Sequence, residues 1–235
     1  SFILKEENNS FSVKNLRLSQ NNQIKKIDQL DLNYLDKDEK KNSVLLLRKD
    51  KEYILKGSYF NFDNLLENIL NNENESSNVL DINNLLKIDI NKVGIDKDNN
   101  LSNLKGTLFF KKQQIVRGKL EGFFSEDEKL KLTVNTNGNN KITTLFLDRA
   151  KPIIRRYKFI KGFEEGELDF YSSSNGEETS STLKIYNFKL KELPGLTKVL
   201  TLASLQGIAD TLSGEGIRFD EFEMNFRNKK DLMTI

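Results

Sequence analysis

Five successive strand-like stretches between residues 85 and 147 constrain the fold more than any other part of the chain. Leu86 to Ile95, Leu101 to Lys111, Gln114 to Phe124, Leu130 to Thr136 and Lys141 to Leu147 each read as a strand. Between them stand the polar turns 96–100, 112–113, 125–128 and 137–140. The period is clearest in Gln114 to Phe124. Val116, Leu120 and Phe124 share one face with Gly118 and Gly122 between them, and Arg117, Lys119 and Glu121 share the other. Strands of this length span roughly 26–36 Å at about 3.3 Å per residue, long for a compact sandwich. The chain has only two prolines, Pro152 and Pro194, and each sits where a helix is expected to start. Strand interiors tolerate no proline, so their scarcity favours extensive sheet. The expected fold is mainly β: a long, curved antiparallel sheet with a few short helices.

The N-terminal part has the same texture. Phe2 to Glu6 and Phe11 to Leu18 read as strands around an Asn8-Asn9-Ser10 turn, with a bulge near Lys14-Asn15 where the apolar parity slips. Ile24 to Tyr34 reads as one strand with Leu30, Leu32 and Tyr34 on a shared face. Asp36 to Lys41 is a charged turn. Ser43 to Arg48 and Tyr53 to Tyr59 form a hairpin, and a short helix follows at 64–70. Residues 71–78 hold no apolar side chain and read as an exposed loop.

In the last third, Asp148 is expected to cap a helix that has Pro152 in its first turn and Gly162 past its end. Its inward residues are Ile153, Ile154, Tyr157 and Ile160, and Lys151, Arg155 and Lys158 form a basic stripe beside them. Phe163 to Tyr171 and Thr182 to Leu190 make a hairpin around a polar loop, Ser172 to Ser181. A nearly uncharged helix, 195–212, lies between Pro194 and the glycines of Ser213-Gly214-Glu215-Gly216. Its apolar residues change face near Ser204, so it reads either as a buried core helix or as a plug over an apolar groove. Another alternating run begins at Ile217.

Composition excludes several functions. Lysine plus arginine number 37 against 35 acidic residues, a balance that gives no field for nucleic acid. His and Cys are absent, removing the usual general base, the commonest metal ligand and any thiol nucleophile. No phosphate loop, dinucleotide fingerprint or calcium loop occurs, and Glu164, Glu165 and Glu167 are ordinary acid density. No catalytic residue, metal or cofactor is expected, and the chain reads as a non-enzyme. No apolar run reaches the roughly 18 residues of a membrane span. The chain starts at Ser1 and ends at Ile235 within a strand-like run, so it reads as part of a longer protein.

Phe188 to Asp220 resembles the C-terminal module of the AsmA-like envelope protein superfamily, which includes the YhdP and TamB types. Pro194, the Leu-Thr-Leu-Ala-Ser-Leu run at 200–205, Gly207, Ser-Gly-Glu-Gly-Ile at 213–217 and Phe219 carry the resemblance. It extends weakly back to about Asp148, dividing the chain into a repeated β region (1–147) and a C-terminal module (148–235). The resemblance implies an open, apolar β-groove in the periplasm of a Gram-negative bacterium, tethered to the inner membrane by a segment outside this chain. It further implies phospholipid moving between inner and outer membranes, or else a scaffold for outer-membrane assembly that carries no lipid. Candidate groove residues are Leu168, Phe170, Leu183, Ile185, Phe219, Phe222, Met224 and Phe226. Candidate plug residues are Leu196, Leu200, Leu205, Ile208 and Leu212. The implied partners are phospholipid acyl chains, the two membranes and other envelope proteins.

Overall fold

A computed structural model of the chain describes residues 1–18, 20, 24–63, 84–111, 114–155, 162–191, 216–229 and 232–234. The strands in chain order are β1 (Phe2–Glu6), β2 (Asn9–Lys14), β3 (Arg17–Leu18), β4 (Ile24–Lys26), β5 (Gln29–Leu35), β6 (Lys41–Lys49), β7 (Glu52–Asn61) and β8 (Leu85–Gly94). They continue as β9 (Asn100–Lys111), β10 (Gln114–Phe123), β11 (Lys129–Asn137), β12 (Asn140–Leu147), β13 (Phe163–Ser174), β14 (Glu178–Leu190), β15 (Ile217–Lys229) and β16 (Leu232–Thr234). Between β12 and β13 lies a four-residue helix, α1 (Lys151–Ile154). Fourteen strands form one open sheet in the order β1-β2-β5-β6-β7-β8 and then sequentially to β16, while β3 and β4 pair separately. The sheet runs on across residue 147, because β12 pairs with β13 from Lys141 to Leu147.

The expected sheet is corrected in one respect: it is mixed. β7 and β8 pair in parallel, Glu52 opposite Leu85 through Asn61 opposite Gly94. Parallel neighbours need a crossover connection, whereas every tight turn in this chain gives an antiparallel neighbour. The connection here covers 62–84, and the expected helix 64–70 and loop 71–78 lie outside the described residues.

Three local expectations change as well. Asp148 does not cap α1. The cap position is Ala150 with no side-chain bond, and Asp148 Oδ2 instead accepts the Lys129 N–H at 2.8 Å. Asp148 N–H also donates to the Lys129 carbonyl at 2.9 Å, so the pair extends the β11–β12 ladder by one step. Ser172 to Ser181 is mostly strand, turning only at 175–177. Its hydroxyls bond across the strands, Ser181 to Ser172 at 3.1 Å and Thr179 to Ser174 at 2.9 Å, so polar composition here marks a wet strand end and not a loop. Ile24 to Tyr34 breaks at Ile27-Asp28. Ile27 turns into the core, and Asp28 gathers Asn15 Nδ2 (2.8 Å), Lys26 (3.1 Å) and Arg48 (3.7 Å).

The turn at Asp36 ties three strands together. Its carboxylate accepts Asn61 Nδ2 at 2.7 Å, Asn42 Nδ2 at 3.3 Å and the N–H groups of Asp38 and Lys40. Asn42 is fully buried, and its Oδ1 accepts the Asn61 N–H at 2.6 Å.

Isolated left-handed residues keep apolar side chains on one face where strict alternation would not. Asn103 (φ 52°) lies between Leu101 and Leu104, and Asn187 (φ 52°) between Ile185 and Phe188. Each pair is three residues apart, yet both members pack on the same side. Glu165 and Gly166 (φ 62° and 83°) do the same between Phe163 and Leu168. The expected bulge at Lys14-Asn15 is corrected: β2 pairs in register with β5 as far as Lys14 opposite Gln29 and ends there, with Asn15 beyond it at φ 51°. Asparagine tolerates this conformation better than other non-glycine residues, and β-branched residues tolerate it worst. Asn187→Val is therefore expected to cost about 1–3 kcal/mol in thermal or denaturant unfolding, with Asn187→Gly neutral. Equal melting of the two variants would contradict a parity-switching role.

Candidate functional site

Cross-strand register brings one apolar residue per strand into a single line. Phe2 faces Val13, then Leu30, Leu46, Leu55, Ile88, Gly106, Leu120, Leu132, Leu145, Phe170, Leu183 and Met224. Partners in register point to the same side of a sheet. At about 4.8 Å per strand this row runs roughly 58 Å. From Leu30 to Met224 every member is half-buried. A packed core would cover them fully; here neighbours shade one another while part of each side chain stays open.

The opposite face carries a second line. Lys56, Asp89, Lys105, Glu121 and Lys131 face one another in turn, and after Phe146 come Asp169, Lys184 and Glu223. Signs alternate wherever charged members adjoin. Lys105 reaches Asp89 at 3.5 Å, and Lys184 reaches Glu223 at 2.8 Å and Glu221 at 3.0 Å. Such exposed pairs add little stability. Their effect is on register: a slip by one residue would put charges on the apolar side all along the sheet.

Beside the half-buried row lies a buried one. Ile90, Leu147, Leu168 and Ile185 are each 3% exposed or less. Two clusters cover this flank. Ile90, Val93, Ile95 and Leu101 form one; Leu147, Ala150, Ile154, Phe163, Leu168, Ile185 and Phe188 form the other. Phe188 stacks between Phe163 and Phe219 at 5.4 and 5.2 Å.

The segment 148–155 straps the second cluster down. Ala150 and Ile154 enter it, and the basic side chains around them are tied to other strand ends. Arg149 pairs with Glu128 at the β10–β11 turn, and Lys151 with Glu164 on β13. Arg155 meets Asp98 at 3.1 Å and Asp96 at 3.7 Å in the β8–β9 turn. Two of the three residues in the basic stripe are thus engaged within the chain; Lys158 lies outside the described residues, as do Tyr157 and Ile160. A polar cleft of about 560 Å³ adjoins the strap, lined by Asp98, Glu128, Asp148, Arg149, Arg155, Glu165 and Glu167 among others.

The Lys151 ammonium, bonded to Glu164 with Lys191 nearby, holds that carboxyl below its ordinary value of 4.5. For Glu128, partial burial pulls upward, but bonds from Arg149 and Ser125 outweigh it and the net shift is down. A depressed folded pKa stabilises above the unfolded value and is lost as pH falls through the folded one. Wild-type melting should therefore drop more steeply than that of Glu164→Gln between about pH 5 and 3. Parallel curves would show that the pair contributes nothing.

Register puts the eight candidate groove residues on the apolar side, but unequally. Leu168 and Ile185 are buried in the cluster, Phe170, Leu183, Phe219, Met224 and Phe226 are half-buried, and Phe222 is 44% exposed. The plug candidates Leu196, Leu200, Leu205, Ile208 and Leu212 lie outside the described residues. Sequence reasoning passed over Leu30, Leu46, Leu55, Ile88, Leu120, Leu132 and Leu145 as site residues. Each lies in a visible strand, but only the register joins them.

No family model, curated protein or solved structure matches the chain. Among the described residues no acidic cluster could hold a metal ion, and no helix is long and apolar enough to cross a membrane.

Proposed function

We propose that the apolar face binds phospholipid acyl chains and lets them move along the sheet, between the inner and outer membranes of a bacterial envelope. In this reading the chain is part of a longer periplasmic protein, tethered to the inner membrane by a segment outside it. The observation that carries the reading is the apolar row, continued across thirteen strands and half-buried from Leu30 to Met224, with a charged line behind it from Lys56 to Glu223 broken only at Phe146. A sheet this wide twists and curls, turning an apolar face into an open groove. A 16-carbon acyl chain in water faces a cost of roughly 13 kcal/mol at about 0.8 kcal/mol per methylene. Scattered surface contacts cannot offset that, whereas an unbroken apolar line can. The headgroup stays in water, so no charged recognition site is needed. The resemblance at Phe188 to Asp220 points the same way, although most of its residues lie outside those described.

Photoreactive residues distinguish this from a scaffold without lipid. Placed at Leu145 or Phe222 in cells, they should capture phospholipid, while the same group at Lys131 or Tyr171 on the opposite face should not. Capture of protein alone at Leu145 and Phe222 would favour the scaffold.

A further inference from the structure

The apolar side of β11 to β15 changes character along the strands. No left-handed residue interrupts 130–136, 141–147, 168–174, 179–185 or 222–228, so residues two apart share that side. Next to the row through Leu145 lies a rung of Val134, Thr143, Ser172, Ser181 and Phe226. Beyond it lies one of Thr136, Lys141, Ser174, Thr179 and Asn228. One flank of the row is thus dry, beneath the strap, and the other is lined with hydroxyls. Lys141 is the only charged residue on these rungs, about 13 Å along β12 from Leu145. It is half-buried, and burial alone holds its ammonium below the ordinary 10.5; no carboxylate among the described residues offsets that. Opposite it on β11, Thr136 Oγ1 is buried without a hydrogen-bond partner, and at the other end of the rung so is Asn228 Oδ1. Between them, Thr179 and Ser174 bond each other at 2.9 Å.

Buried polar groups are nearly always partnered, and an ammonium drawn out of water without a counter-charge is costly. Holding acyl chains asks for neither, so the rung is matched to a group that the chain does not supply. Lys141 offers a positive charge with three N–H donors, and Thr136 adds an O–H donor beside it, a set suited to phosphate oxygens. We propose that Lys141 and Thr136 hold the phosphate of a phospholipid whose acyl chains lie on the row through Leu132 and Leu145. Headgroups then stand on the hydroxyl flank, on the side of the turns 137–140 and 175–177, away from the strap. This inference rests on the acyl-binding reading and adds to it the place of the headgroup and the charge that receives it.

The test is calorimetric titration of the purified chain with two ligands carrying the same acyl chains, dihexanoyl phosphatidylglycerol and dihexanoylglycerol. The wild type should bind the phospholipid about tenfold more tightly. Lys141→Met should bring the two affinities together by weakening the phospholipid alone, Lys141→Arg should keep most of the preference, and Thr136→Val should lose part of it. Lys141→Met should melt no lower than the wild type, because it removes a half-buried charge that has no partner. Equal binding of the two ligands by the wild type, or an undiminished preference in Lys141→Met, overturns the proposal and leaves acyl binding standing. Binding of neither ligand overturns the acyl reading and this one with it. Inorganic phosphate titrated alone should not saturate the chain. If it binds as tightly as the phospholipid and is lost in Lys141→Met, the rung is a site for a free anion and the headgroup assignment is overturned.

Discussion

Gly106→Val is expected to be the most damaging single substitution in the apolar row, lowering stability by about 3 kcal/mol. Gly106 lies in β9 where the row passes from Ile88 to Leu120. A Cβ there would stand 2.0 Å from the Lys119 carbonyl oxygen, 2.8 Å from Leu120 Cδ2 and 2.9 Å from the Leu120 Cα. Two of these three atoms are backbone, and β10 is held by β11 on its far side, so the strand cannot move away. The melting temperature should fall by roughly 6–12 °C for a domain of this size. Gly138→Ala provides the comparison. Gly138 is also left-handed (φ 60°), but nothing lies within 4 Å of its Cβ position, so the cost is about 1 kcal/mol of backbone strain. If Gly138→Ala melted as low as Gly106→Val, contact between β9 and β10 would not be the cause.

The same contrast explains what could be read from the sequence. Between residues 85 and 147, period-two patterning and polar turns define five strands whose ends move by only a few residues in the structure. Alternation also yields the two faces, because consecutive hairpins hand register from one strand to the next. It fails where a residue's conformation departs from the strand. Ile90 and Val93, Leu101 and Leu104, Ile185 and Phe188, and Phe219 and Phe222 are spaced by three, which by alternation puts one member of each pair on the wrong face. An asparagine between the members of the second and third pairs is the available signal. The parallel step from β7 to β8 was illegible for another reason. Strand identity does not specify neighbours once the connection is long enough to cross over. Asp148 shows a third kind of failure: the helix begins two residues later, with Ala150 at its cap position, and the Asp148 carboxylate accepts the Lys129 N–H instead.

How the apolar face is used can be separated from how it is built by placing a charge in the half-buried row. Leu132→Asp sits on β11 with Leu120 on one side and Leu145 on the other. Because Leu132 is half-buried, the carboxylate can stay hydrated, and the loss of stability should remain near 1–2 kcal/mol. The consequence for a sliding acyl chain is larger. A hydrated residue leaves about 10 Å between the flanking leucines, and wetting only two methylenes there costs roughly 1.6 kcal/mol. That is enough to slow passage about tenfold. Phospholipid transfer between donor and acceptor vesicles should fall by that factor in Leu132→Asp. It should not change in Thr133→Asp, one residue along on the charged side, where Thr133 bonds Thr144 at 2.5 Å. Equal transfer by both variants, with both still folded, would mean that lipid does not travel along this row. A fall in both would place the effect in folding and not in the apolar line. Only a loss confined to Leu132→Asp ties movement of lipid to the face that register assembles.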